Sequence, residues 1–177
     1  ELIQVSFRHH PEAASAQGLS QFDKKASQPT LADEDKERHE TEAVLARLKK
    51  ALAEKQQKDV AEDLRIMIRR VELNFKRQDF ARAHEVPFIN ASGNVFGGLR
   101  TLLDEQTPAA RRPSAVVRIR AYAGMEPGYI PLTEILQERV TRQMATPTVL
   151  YPGKAETETE MARNPNYADG ISSVMKE

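Results

Sequence analysis

The stretch VAEDLRIMIRRVELNFKRQDFARA, residues 60–83, decides the fold class of this sequence. Its apolar residues recur every three or four positions, which is the spacing of one face of an α-helix. They are Val60, Leu64, Met67, Ile68, Val71 and Phe75. Ile66, Leu73 and Phe80 widen this stripe, so we predict a long helix that is buried on more than one side.

Upstream of this helix the pattern remains helical. Residues 1–18 are predicted to form a helix interrupted near Pro11, because proline lacks the backbone N–H and disfavours helix at the preceding residue. Residues 17–29 are predicted to form a loop. Thr30 and Asp33 then begin a helix that extends to Lys55, with a thin apolar side and a heavily charged one, as is typical of a surface helix.

Downstream the helices are shorter and separated by glycine and proline. A turn over residues 90–98 feeds a helix ending near Leu103, and further helices are expected over 113–123, 131–145 and 155–163 and from Tyr167 onward. The best strand candidate is residues 148–151. The sequence therefore predicts an all-α fold, an irregular multi-helix array with few or no strands. Residues 1–177 form a single helical domain or the N-terminal fragment of a larger helical protein.

Composition removes several classes of function. The 177 residues are 40% hydrophobic, contain no cysteine, and carry 26 Lys+Arg against 26 Asp+Glu. Disulfides, thiolate metal ligands and a cysteine nucleophile are excluded. Balanced charge gives no basic surface for nucleic acid, so we expect no nucleic-acid partner. No apolar run is long enough to span a membrane. No secretory leader is evident in the sequence shown, and both ends have the pattern of trimmed ends.

The four histidines do not form a metal-binding pattern. His9 and His10 are adjacent and precede Pro11, which indicates a helix end. A helical zinc-hydrolase motif requires a second histidine four residues after the first, but Ala43 occupies that position after His39. His84 ends a helix, where the dipole favours the protonated imidazole. We therefore predict no catalytic residue, no metal ligand and no cofactor in this chain.

Two further patterns, a glycine-rich segment and a basic cluster, are candidates for ligand binding. The segment from Gly93 to Gly98 is rich in glycine but lacks the Lys-Ser/Thr pair of a phosphate loop, so its glycines are expected to allow positive φ or close helix packing. Arg118 and Tyr122 lie one helical turn apart within a basic cluster that also contains Arg111, Arg112 and Arg120. The cluster is either a solvated face paired with acids or a surface that binds carboxylates or backbone. Arg118 and Tyr122 are the candidate substrate-binding residues.

Several segments in order resemble one family. They include FRHHPEA at 7–13, EVPF at 85–88, NVFGGL at 94–99, RIRAYAG at 118–124, PLTEIL at 131–136, ATPTVLYPGK at 145–154 and YADGI at 167–171. Their order and spacing are similar to the N-terminal part of the bacterial DUF885 family. Members of that family are long and largely helical, and many are exported or lipid-anchored. They resemble gluzincin zinc peptidases through a histidine-containing helix in their C-terminal part.

The resemblance implies a role for the parent protein. It implies a zinc-dependent metallopeptidase-like hydrolase at the cell envelope or in the periplasm, with zinc in the parent protein and this chain inactive alone. The chain would line or cover a peptide-binding channel, with the C-terminal part of the same protein and a peptide substrate as partners. The alternative is a non-catalytic helical protein-interaction or substrate-binding module. A third hypothesis is a small enzyme that uses Arg118, Tyr122 and Glu126.

Overall fold

The computed structural model describes residues 1–175, without the side chain of Val174. Within that range the chain forms eight α-helices and no sheet, so the all-α prediction is confirmed. The helices are α1 (Leu2–His9), α2 (Pro11–Ala16), α3 (Leu31–Ala53), α4 (Lys58–His84), α5 (Ala91–Leu103), α6 (Ser114–Tyr122), α7 (Leu132–Met144) and α8 (Lys154–Val174). Among these residues, no helix combines the length and apolarity needed to cross a membrane. The predicted trimmed C-terminal end falls on Lys176 and Glu177, outside the described residues.

The first layer of the fold consists of α1, α3 and α4. Thr30 caps α3 by accepting a hydrogen bond from the Asp33 amide, as its position before the acidic turn predicts. Leu45 of α3 packs on Ile68 and Val71 of α4, and Leu2 of α1 packs against the same cluster. Val44 and Leu45 are fully buried, so α3 is more than the surface helix expected from its composition.

The prediction that α4 is buried on more than one side is wrong. Leu64, Ile68 and Val71 are buried, and Ile68 and Val71 pack against Leu45 of α3. Ile66, Leu73 and Phe80, on the opposite side, are each more than half exposed. In the described part of the chain α3 is the main helix packed on α4, so only one side of α4 is covered.

The second layer consists of α5, α6, α7 and α8. Leu99 and Leu102 of α5 pack on Ala115, while Ala121 and Tyr122 of α6 pack on Leu132 of α7. Asn90 caps α5 by accepting a bond from the Gly93 amide, so the helix begins at Ala91 rather than after the turn expected over 90–98. Gly124 has φ +70° and ends α6 as predicted.

One helix replaces the two that were predicted near the C-terminal end. α8 continues through Pro165, although proline removes a backbone hydrogen bond there. Packing on α5 supports it: the rings of Phe96 and Tyr167 lie 5.8 Å apart, and a Cβ on Gly170 would lie 2.6 Å from the Phe96 ring. This tertiary contact overrides the local signal to stop.

The strand candidate at 148–151 forms no sheet within the described residues. The Val86 amide donates to the Leu150 carbonyl at 2.9 Å, and the Leu150 amide donates to the His84 carbonyl at 2.6 Å. These bonds make one parallel bridge between Glu85 and Leu150. The two extended segments are therefore joined at a single point.

His9 and His10 end α1 before Pro11, as predicted, and they also attach α1 to α3. His9 is buried, with Nδ1 3.0 Å from the Asp33 carboxylate and Nε2 3.4 Å from that of Glu40. His10 Nε2 lies 3.3 Å from Glu37. The hydrogen bond between them raises the pKa of His10 above its usual value and lowers that of Glu37.

The His10–Glu37 pair gives a pH-dependent term in stability. Because the pKa of His10 is raised on folding, its interaction contributes its full stabilisation below pH 6.5, the pKa in the unfolded chain. That stabilisation is lost as the pH rises through the folded-state pKa. Because the pKa of Glu37 is lowered on folding, its interaction contributes its full stabilisation above pH 4.5. That stabilisation is lost as the pH falls through the folded-state pKa. His10→Ala should therefore destabilise most between these values, by less than about 1 kcal/mol because His10 is half exposed.

Urea unfolding of wild type and His10→Ala across pH 4 to 9 measures this term. His39→Ala, at an exposed position of α3, is the matched control. A His10→Ala penalty of equal size near pH 5.5 and pH 8.5 contradicts the prediction.

Candidate functional site

Arg118, predicted as a substrate-binding residue, is fully buried at the centre of the fold. Its exposed fraction is 0%. Nε donates to the Lys25 carbonyl at 3.0 Å, Nη1 to Gly98 at 2.7 Å, and Nη2 to Phe22 at 3.0 Å. Burial lowers the pKa of the guanidinium. Arg118 thus binds backbone, one of the two ligand types considered for it, but the backbone belongs to its own chain.

Tyr122 lies one turn further along α6 and is also buried. Its hydroxyl donates to Glu12 Oε1 at 2.6 Å. The same oxygen accepts from the backbone amide of Ser27 at 2.8 Å and from its hydroxyl at 3.0 Å. Burial and the neighbouring Glu12 carboxylate raise the pKa of Tyr122, which stays a neutral donor.

A largely buried ion pair adjoins this network. Arg111 binds both carboxylate oxygens of Asp23, at 2.7 and 2.6 Å, and also donates to the Ser15 carbonyl at 2.8 Å. The Ser15 hydroxyl donates to Asp23 at 2.7 Å. Burial acts to raise the pKa of Asp23, but the hydrogen bonds from Arg111 and Ser15 bring it below its usual value.

Together, these hydrogen bonds fix the segment from α2 to α3 against α5 and α6. The interpretation of the basic cluster as a solvated face is wrong for Arg118 and Arg111. The substrate-binding role of Arg118 and Tyr122 stays a prediction. Glu126 pairs with Arg120 at 2.6 Å on the surface, so the three-residue enzyme site does not assemble.

The close fit of α5 on α6 explains one of the glycines. A Cβ on Gly98 would lie 2.5 Å from the Tyr122 hydroxyl, closer than such atoms approach. The prediction of close helix packing is therefore confirmed for Gly98. The alternative prediction, that these glycines adopt positive φ, is wrong for Gly93, Gly97 and Gly98, which all lie inside α5.

A cleft lies elsewhere on the molecule. This cleft, of about 1010 Å³, is enclosed by the start of α3, the second half of α4, the end of α7 and residues 146–152. Neither Arg118 nor Tyr122 lines it. Its size is at the upper end of the range for ligand pockets.

The cleft carries charges of both signs and exposed apolar groups. Arg38 pairs with Asp79, Arg82 with Asp35 and Arg139 with Glu34. Two more arginines, Arg77 and Arg142, line the cleft and form no ion pair with the residues that the structure describes. The lining also includes Phe88, Leu150 and Tyr151, each at least 41% exposed.

Sequence reasoning missed these cleft residues because no local signal marks them. They come from five separated segments, and only the fold brings them together. Glu12 was equally unmarked, because it meets Tyr122 across 110 positions of sequence.

The described residues do not provide a zinc site. No group of three or more histidine, aspartate or glutamate side chains within them is arranged to hold a metal ion. The two ring nitrogens of His9 face two different carboxylates: Nδ1 is hydrogen-bonded to Asp33, and Nε2 lies 3.4 Å from Glu40 without forming a hydrogen bond.

Loss of Arg118 should destabilise the fold strongly. Arg118→Ala removes one donor from each of three carbonyls, of which that of Phe22 keeps the Lys25 amide, and opens a cavity, so we expect a loss of about 3–5 kcal/mol. Arg120→Ala, two residues away on the exposed side, should cost less than about 1 kcal/mol. Urea denaturation compares the two, and an Arg118→Ala penalty as small as that of Arg120→Ala would show the carbonyl contacts to be unimportant.

The contact between Gly98 and Tyr122 can be isolated by a double-mutant cycle. Gly98→Ala should destabilise by about 1–3 kcal/mol because its Cβ overlaps the Tyr122 hydroxyl. In the Tyr122→Phe background the penalty should fall, giving a coupling of at least about 0.5 kcal/mol. Gly97→Ala, with open space around its Cβ, should instead stabilise by about 0.5–1 kcal/mol. Additive penalties for Gly98→Ala and Tyr122→Phe argue against the contact.

Comparison with known proteins gives one match. The chain has no significant match among curated proteins or among solved structures. A family of bacterial proteins of unknown function, DUF885, matches residues 11–176. This range spans the buried network, the cleft and every helix from α2 to α8. Since the match covers nearly the whole chain, the protein belongs to the DUF885 family.

Proposed function

We propose that this chain is the non-catalytic helical part of a zinc-dependent metallopeptidase-like protein at the cell envelope, and that its cleft holds an extended peptide. The cleft is the observation that carries the proposal. It is the concave surface on which the charged and apolar groups of the second half of α4, the end of α7 and residues 146–152 converge.

The mixed lining suits a peptide better than a uniformly charged ligand. A peptide presents a carboxylate end, an ammonium end and apolar side chains within a few residues. Arg142 supplies a cation for the carboxylate end, and Glu156 supplies an anion for the ammonium end. Phe88 and Tyr151 offer exposed rings for apolar side chains.

The zinc chemistry of the proposal belongs to another part of the parent protein. The family resemblance supports it, and the described residues contain no group of three or more candidate ligands arranged to hold a metal ion. Their contribution is to position a peptide through Arg142, Glu156 and the exposed rings. The chain alone should bind peptide without hydrolysing it.

Arg142 provides the direct test of the cleft. Fluorescence anisotropy with labelled pentapeptides that carry a free carboxylate and alternate apolar with charged residues should show saturable binding. Arg142→Ala should weaken it about tenfold, equivalent to about 1.4 kcal/mol, because the carboxylate loses its cation. Arg100→Ala removes an equally exposed arginine outside the cleft and should leave affinity unchanged.

Two results would count against the proposal. Equal effects of Arg142→Ala and Arg100→Ala would show that the cleft does not hold the peptide. The whole gene product, purified with zinc, should hydrolyse the same peptides and lose that activity on chelation. Peptide binding by a whole gene product that takes up no zinc would favour the alternative of a substrate-binding module.

A further inference from the structure

α4 carries a second apolar line on the face turned away from α3. Ile66, Leu73 and Phe80 are spaced by seven residues and are 59%, 51% and 51% exposed. Seven residues are almost two helical turns, so the three side chains form one line about 21 Å long. Large apolar groups aligned in this way on an open helix face are characteristic of interaction surfaces.

The charges of α4 differ in sign between its two ends, with Lys58, Arg65 and Glu72 as exceptions. Asp59, Glu62 and Asp63 lie in its first two turns, and Arg69, Arg70, Lys76 and Arg77 follow. All seven are exposed. The ion pairs that α4 forms in the described part of the chain involve Glu62 with Arg65, Glu72 with Lys49, and Asp79 and Arg82 with α3. The four later cations are outside these pairs.

We propose that this face binds the same face of a second copy of the chain, in an antiparallel two-fold dimer. In the register that suits both apolar and charged groups, Ile66 of one copy lies opposite Leu73 of the other. A two-fold axis repeats every contact, so Leu73 of the first copy also meets Ile66 of the second. The axis passes between Arg69 and Arg70.

Charge complementarity specifies this register. The antiparallel arrangement places the acidic end of each α4 on the basic end of the other. Glu62 then faces Lys76 of the second copy on one side of the apolar line, and Asp63 faces Arg77 on the other side. The two-fold axis repeats both pairs, which gives four contacts between opposite charges. Near the axis, Arg69 and Arg70 each approach the same residue of the second copy, and this repulsion offsets part of the electrostatic attraction.

Other occupants fit the face less well. A parallel second helix would place acid on acid and base on base along its length. An anionic lipid surface would attract the four cations but repel Asp59, Glu62 and Asp63 at the other end of the same line. Of these occupants, a second copy in the antiparallel register is the one whose charges match at both ends.

Sedimentation velocity between 1 and 200 µM tests the apolar contact. Wild type should shift from monomer to dimer across this range. Leu73→Glu should remain monomeric throughout, since it places charges against Ile66 of the second copy. Val116→Glu, at a position of α6 that is also 51% exposed, is the matched control and should dimerise like wild type. Wild type that stays monomeric at 200 µM overturns the proposal, as does Leu73→Glu that still dimerises.

A charge exchange tests the register. Lys76→Glu with Arg77→Glu makes both ends of the face acidic, and Glu62→Lys with Asp63→Lys makes both ends basic. Each double variant should dimerise at least tenfold more weakly than wild type, whereas an equimolar mixture of the two should recover dimers because opposite charges meet again. A mixture that stays monomeric, with both variants folded by circular dichroism, overturns the antiparallel register. Wild type that stays monomeric and binds vesicles containing phosphatidylserine would identify a lipid surface instead and overturn the dimer.

Discussion

The guanidinium group of Arg118 joins three parts of the chain that are far apart in sequence. It donates to the carbonyls of Phe22 and Lys25, which follow α2, and to that of Gly98 in α5. A planar group with several fixed donors can satisfy three carbonyls at once, which the single ammonium of a lysine does less well. The segment between α2 and α3 has little apolar content, so polar contacts hold it in place.

The neighbouring contacts depend on that placement. Tyr122 reaches Glu12 because α6 approaches α5 closely at Gly98. Arg111 reaches Asp23 and Ser15 from the same side. With these bonds the loop before α3 is positioned, and α3 carries the first wall of the cleft. The buried network and the cleft are thus distinct in location and connected through the start of α3.

The scarcity of apolar contacts also explains why some helix faces stay exposed. In the described part of the chain, many of the buried apolar residues fall into three small clusters, since many helix faces are rich in charge. α4 is covered on one side alone in the described residues, and its outer line of Ile66, Leu73 and Phe80 remains exposed. Periodicity shows that such residues are apolar at helical spacing. It does not show which side a neighbour covers, because that depends on contacts between segments distant in sequence.

The sequence by itself determined the elements that local physics controls. The helical class, the break at Pro11, the capping of α3 by Thr30 and the stop at Gly124 follow from spacing, capping and backbone preference. The order of weak motifs was sufficient to indicate the DUF885 family. Tertiary structure alone decided the burial of Arg118, the partner of Tyr122, the continuation of α8 through Pro165 and the cleft. In each case the deciding energy comes from groups tens of residues away, such as the Phe96 and Tyr167 rings that pack α5 on α8 around Pro165.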